Sequence, residues 1–425
     1  MRIDRLTIRN FNGFESCEIE FDHHFNLLVG DNASGKSSVL DALAILLDVW
    51  IRGICEMKME SGVHPDYVRV RAFQHQDSYT FEKQFPVRIE ASAAVMDEML
   101  NWATGRLNTR KETAYIEADR LMEIARDATK KVMKGNPVIL PLICSYGTER
   151  LWFEIRHRKK VPSKGAEERS EPSRLDGYED CNEFEIQETE LLSWIRAQVV
   201  DGIQKGQMTM AFRAMERAVI ACVEGATALS YSERYKDAVV EMRSIGQQFF
   251  RNLSDGQRVM LTLIGDLVRR ATYLNPDFGD RVLELTPGVV LIDELDLHLH
   301  PKWQRRIIHD LKRTFPSLQF ITTTHSPQLI GEVLPSEIRI LEGGRAYEPS
   351  RSFGLDSSRI LEEIQGATQR NPDVGSLIHA IAMAIDKEEF ERARMLILDL
   401  QEKVGPDDAE VTRARSLLKF MEAPR

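Results

Sequence analysis

The chain has no uninterrupted apolar run of the about 18 residues needed to cross a bilayer as a helix, so a helical membrane span is not expected. It opens Met1-Arg2-Ile3-Asp4-Arg5 and passes straight into an alternating pattern. No apolar signal-peptide core is present there, and a cytoplasmic location is expected. Cysteine is scarce and scattered. The five (Cys17, Cys55, Cys144, Cys181, Cys222) form no C-x-x-C pair, which argues against a metal site or a disulfide framework and leaves buried thiols. Positive charge is not in excess. A net charge of −10 excludes a globally basic nucleic-acid surface, though not a local basic patch. Sustained heptads are missing too, which excludes a long coiled-coil arm. What remains, 43% hydrophobic and 29% charged over 425 residues, is the composition of an ordinary folded protein with two or three lobes.

Residues 30–37 read Gly-Asp-Asn-Ala-Ser-Gly-Lys-Ser and follow the apolar run Phe25-Asn26-Leu27-Leu28-Val29, with a Leu-rich helix expected from Ser38 to Asp48. This is the G-x-x-x-x-G-K-[ST] phosphate loop in the strand-to-helix setting its chemistry needs. Glycine lets backbone N–H groups turn onto phosphate oxygens, and the new helix points its positive end at the same anion. Lys36 is placed for the β- and γ-phosphates and the Ser37 hydroxyl for Mg²⁺. The candidate nucleotide-binding residues are therefore Gly30, Asn32, Ala33, Ser34, Gly35, Lys36, Ser37 and Ser38, with Ser37 also a metal ligand.

Elsewhere the pattern predicts an N-terminal hairpin, with strands over 2–9 and 17–21 turning at Asn12-Gly13. Further strands are expected at 67–70 and 85–91. The stretch from Asp97 to Lys134, rich in Ala, Glu, Arg and Met, is expected to be helical up to the break at Asn136-Pro137. Val138 to Cys144 reads as a buried strand. Residues 156–174 are polar with Pro and Gly and read as a loop. Its basic cluster, Arg156 to Lys160, suits a nucleic-acid phosphate, but a solvated loop accounts for it as well. Helices are expected over 187–205 and 209–224. Beyond Gly343-Gly344, two apolar series spaced i, i+3, i+4 (Leu377 to Ile385, Phe390 to Leu400) predict a helical end, either a packed cap or a docking surface.

Val289-Val290-Leu291-Ile292 is the pattern of a strand buried on both faces, and it runs into Asp293-Glu294. At the C-terminal end of a parallel strand, Asp293 can hold Mg²⁺, while Glu294, on the opposite side by strand alternation, can orient or deprotonate a water. His298 and His300 lack the further ligands a metal site needs. A second buried strand, Gln319 to Thr324, ends at His325-Ser326-Pro327, which places His325 to sense a γ-phosphate. Leu253-Ser254-Asp255-Gly256-Gln257-Arg258 precedes a helix over Val259 to Tyr273 and makes a second anion-binding helix end.

In this order the motifs resemble the ABC-type ATPases of the RecF/SMC/OLD branch, the likeness covering mainly residues 1–50 and 248–330. The resemblance implies an α/β fold: an ABC-type P-loop ATPase head with a mixed β-sheet and helical insertion, then a helical C-terminal segment. It implies ATP and Mg²⁺ as cofactors and a homodimer or higher homo-oligomer. In such a pair the signature motif of one subunit closes on nucleotide held by the other. Ser254, Gly256 and Gln257 would then act across the interface and Asp296 would sit in the loop linking the sites. Glu294 and the switch histidine His325 would be catalytic. The stretches Leu142 to Trp152 and Leu175 to Asp180 resemble segments of anti-phage defence ATPases, those of Septu systems and of retrons with Septu-like effectors, which work with a separately encoded HNH-type nuclease. Nucleic acid (tRNA, retron or phage DNA) is a further partner class, and a membrane is not. Two departures stand out. Ala33 replaces the loop's usual Gly, and Asn12 stands where Arg is common. The Q-loop Gln stays open among Gln74, Gln76 and Gln84.

OLD-type nucleases add a Toprim domain after the ATPase. Fewer than a hundred residues follow His325-Ser326-Pro327 here, without a D-x-D cluster and helper Glu, so no intrinsic nuclease is expected. The expected divisions are an N-terminal ATPase lobe (1–150), a variable loop and helical insertion (151–247), a C-terminal ATPase lobe (248–345) and a helical docking segment (346–425). The function expected is an ATPase subunit that senses or regulates in an anti-phage complex and controls the effector nuclease. A RecF-like repair ATPase clamping DNA on ATP-dependent dimerisation is the alternative. A transporter ATPase fits less well, given the Asp-Leu-His-Leu-His-Pro segment and the short insertion.

Overall fold

The computed structural model describes all residues except 56–61, 76–77, 109–113, 149–172, 182–187, 369 and 423–425. The basic cluster Arg156 to Lys160, Gln76 and the stretch Glu149 to Trp152 lie outside the described residues. Two compact units form, Met1–Asp356 and Ser357–Arg425. Among the described residues no helix is long and apolar enough to cross a membrane.

The first unit opens with the hairpin β1 (Arg2–Phe11) and β2 (Phe14–Glu20), then β3 (Phe25–Val29), which enters the loop leading to helix α1 (Lys36–Cys55). A 3-10 turn at Pro65–Tyr67 precedes an exposed hairpin, β4 (Val70–His75) and β5 (Ser78–Lys83). Next come β6 (Val87–Val95), β7 (Glu98–Arg106), β8 (Ala114–Ile116), helix α2 (Asp119–Met133) and β9 (Leu142–Tyr146). Strands β2-β1-β6-β7-β8 make an antiparallel five-stranded sheet. Burial alternates strictly along β6, the period-2 signature of a strand with one core face.

Helices α3 (Glu188–Lys205) and α4 (Met210–Cys222) lead into a meander of β10 (Ala226–Ser232), β11 (Asp237–Met242) and β12 (Gly246–Phe249). Then follow α5 (Asp255–Leu274), α6 (Val282–Leu285), β13 (Gly288–Ile292), α7 (Pro301–Thr314), β14 (Leu318–Thr323), α8 (Pro327–Ile330), β15 (Ile338–Glu342) and β16 (Arg345–Tyr347). The central sheet runs β16-β15-β3-β14-β13-β9, parallel throughout except at β16. Strands β3, β13, β14 and β9 are buried along their whole length, as expected of a parallel sheet covered on both faces. Helix α1 packs against strands of both large sheets. The Trp102 indole of β7 donates to the Leu46 carbonyl of α1 at 3.0 Å, tying the antiparallel sheet to the helix.

The helix expected over Asp97 to Lys134 is a correction. Residues 98–106 and 114–116 are strands, and helix begins only at Asp119. Pairing of β7 with β6 along Val87↔Arg106 to Val95↔Glu98 buries Trp102, Ala103 and Thr104, and that burial outweighs the weak helical preference of Ala, Met and Leu. The strand at 138–144 starts later, at Leu142, and the strand at 67–70 starts at Val70 after the 3-10 turn. The β10–β12 meander was not among the expected elements.

The second unit is helical, with α9 (Ser357–Glu363), α10 (Pro372–Asp386), α11 (Phe390–Val404) and α12 (Ala409–Met421). Leu377, Ile381, Ile385, Ala393, Ile397, Leu400, Val411 and Leu418 form its own core.

Candidate functional site

Parallel strands β3, β14 and β13 all end on one edge of the central sheet, the edge where α/β sheets bind ligands. The loop after β3 curls round Lys36, whose Nζ donates to the carbonyls of Gly30 at 2.8 Å and Asp31 at 2.9 Å. Gly35 has φ +97°, and a Cβ there would meet Phe14 Cζ at 2.3 Å, so only glycine fits. Ala33 takes φ +64° without glycine's freedom, a strained position in an otherwise ordinary phosphate loop. Asn32, Ala33 and Ser37 are exposed at the loop's mouth. Ser38 Oγ accepts from Asn12 Nδ2 at 2.9 Å, so Asn12 braces the start of α1 from the N-terminal hairpin.

Ser37 Oγ donates to Asp293 Oδ2 at 2.8 Å. Thr323 Oγ1 donates to Asp293 Oδ1 at 2.5 Å and accepts from the Glu294 N–H at 2.7 Å. The Asp293 N–H donates to the Tyr146 carbonyl at 2.8 Å. Strand β13 ends at Ile292, and Glu294 sits at φ +48°. A left-handed turn, rather than the strand alternation expected, therefore directs Glu294. Burial pushes the Lys36 ammonium below its ordinary value, opposed by Asp293, Asp31 and Glu294. One turn along α1 from Ser37, Asp41 is pushed up to about 6 by burial and by Asp293.

These residues fit a nucleotide with its metal. A hydroxyl and a carboxylate at 2.8 Å are the hard oxygen donors Mg²⁺ takes. The buried Ser34 Oγ inside the loop has no hydrogen-bond partner among the described residues, a donor left over for an acceptor such as a phosphate oxygen.

Comparisons with known proteins bear on the chain as a whole rather than on single site residues. Residues 1–132 match the model described as an AAA ATPase domain. Residues 241–331 match one described as "AAA domain, putative AbiEii toxin, Type IV TA system". The Septu protein PtuA of Bacillus thuringiensis is 22% identical over 419 residues, 92% of this chain and 91% of that protein. These likenesses support an ABC-type ATPase of the RecF/SMC/OLD branch. The Retron Ec83 probable ATPase of Escherichia coli is 36% identical over 199 residues, 46% of this chain and 36% of that protein. The Retron Vc95 probable ATPase of Vibrio cholerae is 46% identical over 90 residues, 21% of this chain and 17% of that protein. The match therefore spans about a third of the first retron relative's length and a sixth of the second's.

The residues expected to form a signature motif stand at the start of α5. Ser254 caps α5 in a closed box. Its N–H and its Oγ both donate to Gln257 Oε1 at 3.0 Å, and its Oγ accepts from the Gln257 N–H at 3.4 Å. Neither residue has a hydrogen bond to the phosphate loop among the described residues. Gly256 presses on the Asp296–His300 loop, where a Cβ would meet the His298 carbonyl at 2.7 Å. Asp296 Oδ1 accepts from Thr324 Oγ1 at 2.5 Å, which ties that loop to the end of β14. His325 follows at once, exposed.

Sequence reasoning missed Thr323, Thr324 and Asp41 as members of the site. The three threonines that close the apolar run Gln319 to Thr324 were a readable signal, since hydroxyls at a strand's C-terminal end can bond to neighbouring turns.

Proposed function

We propose that this chain binds and hydrolyses ATP with Mg²⁺ as a homodimer or higher homo-oligomer, and that it serves an anti-phage system by controlling a separately encoded HNH-type nuclease. The observation that carries the ATPase reading is the bond between Ser37 and Asp293, which sets the phosphate loop beside the acidic pair. The defence assignment rests on the likeness to Septu and retron ATPases.

Lys36 and the loop backbone would hold the β- and γ-phosphates, and Ser37 and Asp293 the Mg²⁺. The metal supplies positive charge against the transferring phosphoryl group. Glu294 orients the attacking water and takes its proton, in an acidic pair whose backbone is pinned by Thr323. His325 reads the γ-phosphate. Ser254, Gly256 and Gln257 of one subunit complete the cage on nucleotide held by the other, and Asp296 joins the two sites. Pairing and effector control would couple because ATP binds the closed pair better than the open one.

The test is Glu294→Gln. It keeps the side chain's size and hydrogen-bonding reach but removes the base. Nucleotide binding should persist, with Mg²⁺-dependent turnover lost and ATP-dependent dimers accumulating. Turnover equal to the parent's would overturn the role of Glu294, and a monomer at saturating ATP would overturn the pairing. Co-expression with a neighbouring nuclease gene tests the partner, since Lys36→Ala should alter nuclease output without altering nuclease abundance.

A further inference from the structure

Two sequence stretches that resemble defence ATPases, around Leu142 to Tyr146 and Leu175 to Asp180, take no direct part in the nucleotide site. The structure brings them together at one buried node. Tyr146, the last residue of β9, accepts the Asp293 N–H on its carbonyl at 2.8 Å. Its hydroxyl donates to Asp266 Oδ2 of α5 at 2.8 Å. Arg270 Nε donates to the same oxygen at 2.7 Å, and Arg269 Nη2 donates to Asp266 Oδ1 at 2.7 Å. From α5 the Arg270 guanidinium reaches the carbonyls of Gly177 at 3.1 Å and Glu179 at 2.8 Å. Next to them, the Tyr178 hydroxyl donates to the Pro141 carbonyl at 2.8 Å and accepts from the Trp50 indole of α1 at 3.1 Å. Gly177 lies so close to α5 that a Cβ would meet Leu274 Cγ at 2.6 Å. Asp266, Arg270, Tyr146 and Tyr178 are all less than 5% exposed.

The helix that carries the phosphate-loop lysine, the helix that carries the signature residues and the strand beside the acidic pair therefore meet at one charged, dehydrated knot. A buried ion pair is a poor way to gain stability, but its directional bonds hold partners in one register. A sliding α5 would strip carbonyl bonds from a guanidinium that water cannot reach.

We propose that Tyr146, Asp266 and Arg270, with the 175–180 turn, are a positioning clamp that fixes the signature helix relative to the acidic pair of the same chain. Tyr146 and Arg270 are positioning residues, acting on turnover through Ser254 and Asp293. This rests on the ATPase reading above.

The test is Tyr146→Phe in the full chain, which deletes one hydroxyl and keeps the ring. Loss of one hydrogen bond to a charged group should lower kcat about tenfold, with ATP affinity within about twofold of the parent. Since both act through α5, adding Tyr146→Phe to Ser254→Ala should cost about threefold or less beyond Ser254→Ala alone. An unchanged kcat, or full multiplication of the two losses, overturns the clamp. A readout without turnover runs in parallel: amide hydrogen exchange over residues 254–258 should quicken about fivefold or more in Tyr146→Phe, and unchanged exchange overturns the proposal. If the parent shows no turnover that Glu294→Gln abolishes, the ATPase reading falls, and the exchange measurement alone decides the clamp.

Discussion

Gly256→Ala sets two rules against each other. In an exposed helix interior this change favours the helix by about 1 kcal/mol, because alanine loses less backbone freedom on folding. At Gly256 the new methyl would sit 2.7 Å from the His298 carbonyl and 3.2 Å from Trp303 Cζ3. A backbone carbonyl cannot step aside cheaply, and overpacking of this kind costs about 1–3 kcal/mol. The expected net effect is destabilisation by about 1 kcal/mol, a fall of about 1–3 °C in the melting midpoint of so large a unit. The functional effect should exceed the thermal one. The displaced groups are the start of α5 and the Asp296–His300 loop, the two elements assigned to the subunit interface. In a Glu294→Gln background, sedimentation with ATP should show dimers for the parent and monomers for the Gly256→Ala variant. Gly375→Ala is the internal control. Its position in α10 is exposed, with nothing within 4 Å of a new Cβ, so it should stabilise its unit by about 0.5–1 kcal/mol. A Gly256→Ala protein that melts at or above the parent and still pairs on ATP would refute the argument.

Lys36→Ala removes the only side-chain ammonium in the phosphate loop and should weaken nucleotide binding at least about tenfold, measured by titration with a fluorescent ATP analogue. Ser37→Ala should leave nucleotide binding nearly intact and raise the Mg²⁺ needed for half-maximal turnover, read from a metal titration. Asp41 gives a pH prediction. Its folded value, about 6, lies above its ordinary 3.8, so the folded state favours the protonated form. The stabilisation is complete below about pH 4 and is lost as pH rises through about 6, at most about 3 kcal/mol at 1.36 kcal/mol per unit. Denaturant melts at pH 4.5 and pH 8 should show this loss in the parent and a smaller one in Asp41→Asn. An equal loss in the variant would remove Asp41 as the source.

The elements legible in the sequence were those whose neighbours are local or whose burial is complete. The runs at 25–29, 289–292 and 319–324 are apolar because both faces of the central sheet are covered, and they became β3, β13 and β14. The helices α4, α10 and α11 carry one-sided apolar spacing and fell near their expected positions, as did α5, which is buried on nearly every side. The misreading of 97–116 has a physical source. Glu98-Met99-Leu100-Asn101 is solvent-facing or half-buried and composed of residues comfortable in a helix, and only nine rungs of pairing to β6 make it a strand. The β10–β12 meander hid for a similar reason. Its three strands are held by each other, a relation no short window contains.

The site divides along the same line. Gly30 to Ser38 and Asp293-Glu294 were readable because their chemistry is compressed into consecutive residues. Thr323, which holds both the carboxylate of Asp293 and the backbone of Glu294, sits 30 positions downstream of the first and 29 of the second, and became visible only once β14 lay beside β13. The proposed cage draws on a second chain. Walker-type groups converge on one sheet edge, whereas the polar groups of Ser254 and Gln257 are closed on each other within their own helix end. In the proposed pair a twofold partner would supply the signature box without any change to the β3, β13 and β14 edge, since each chain would then offer one loop and receive one helix end.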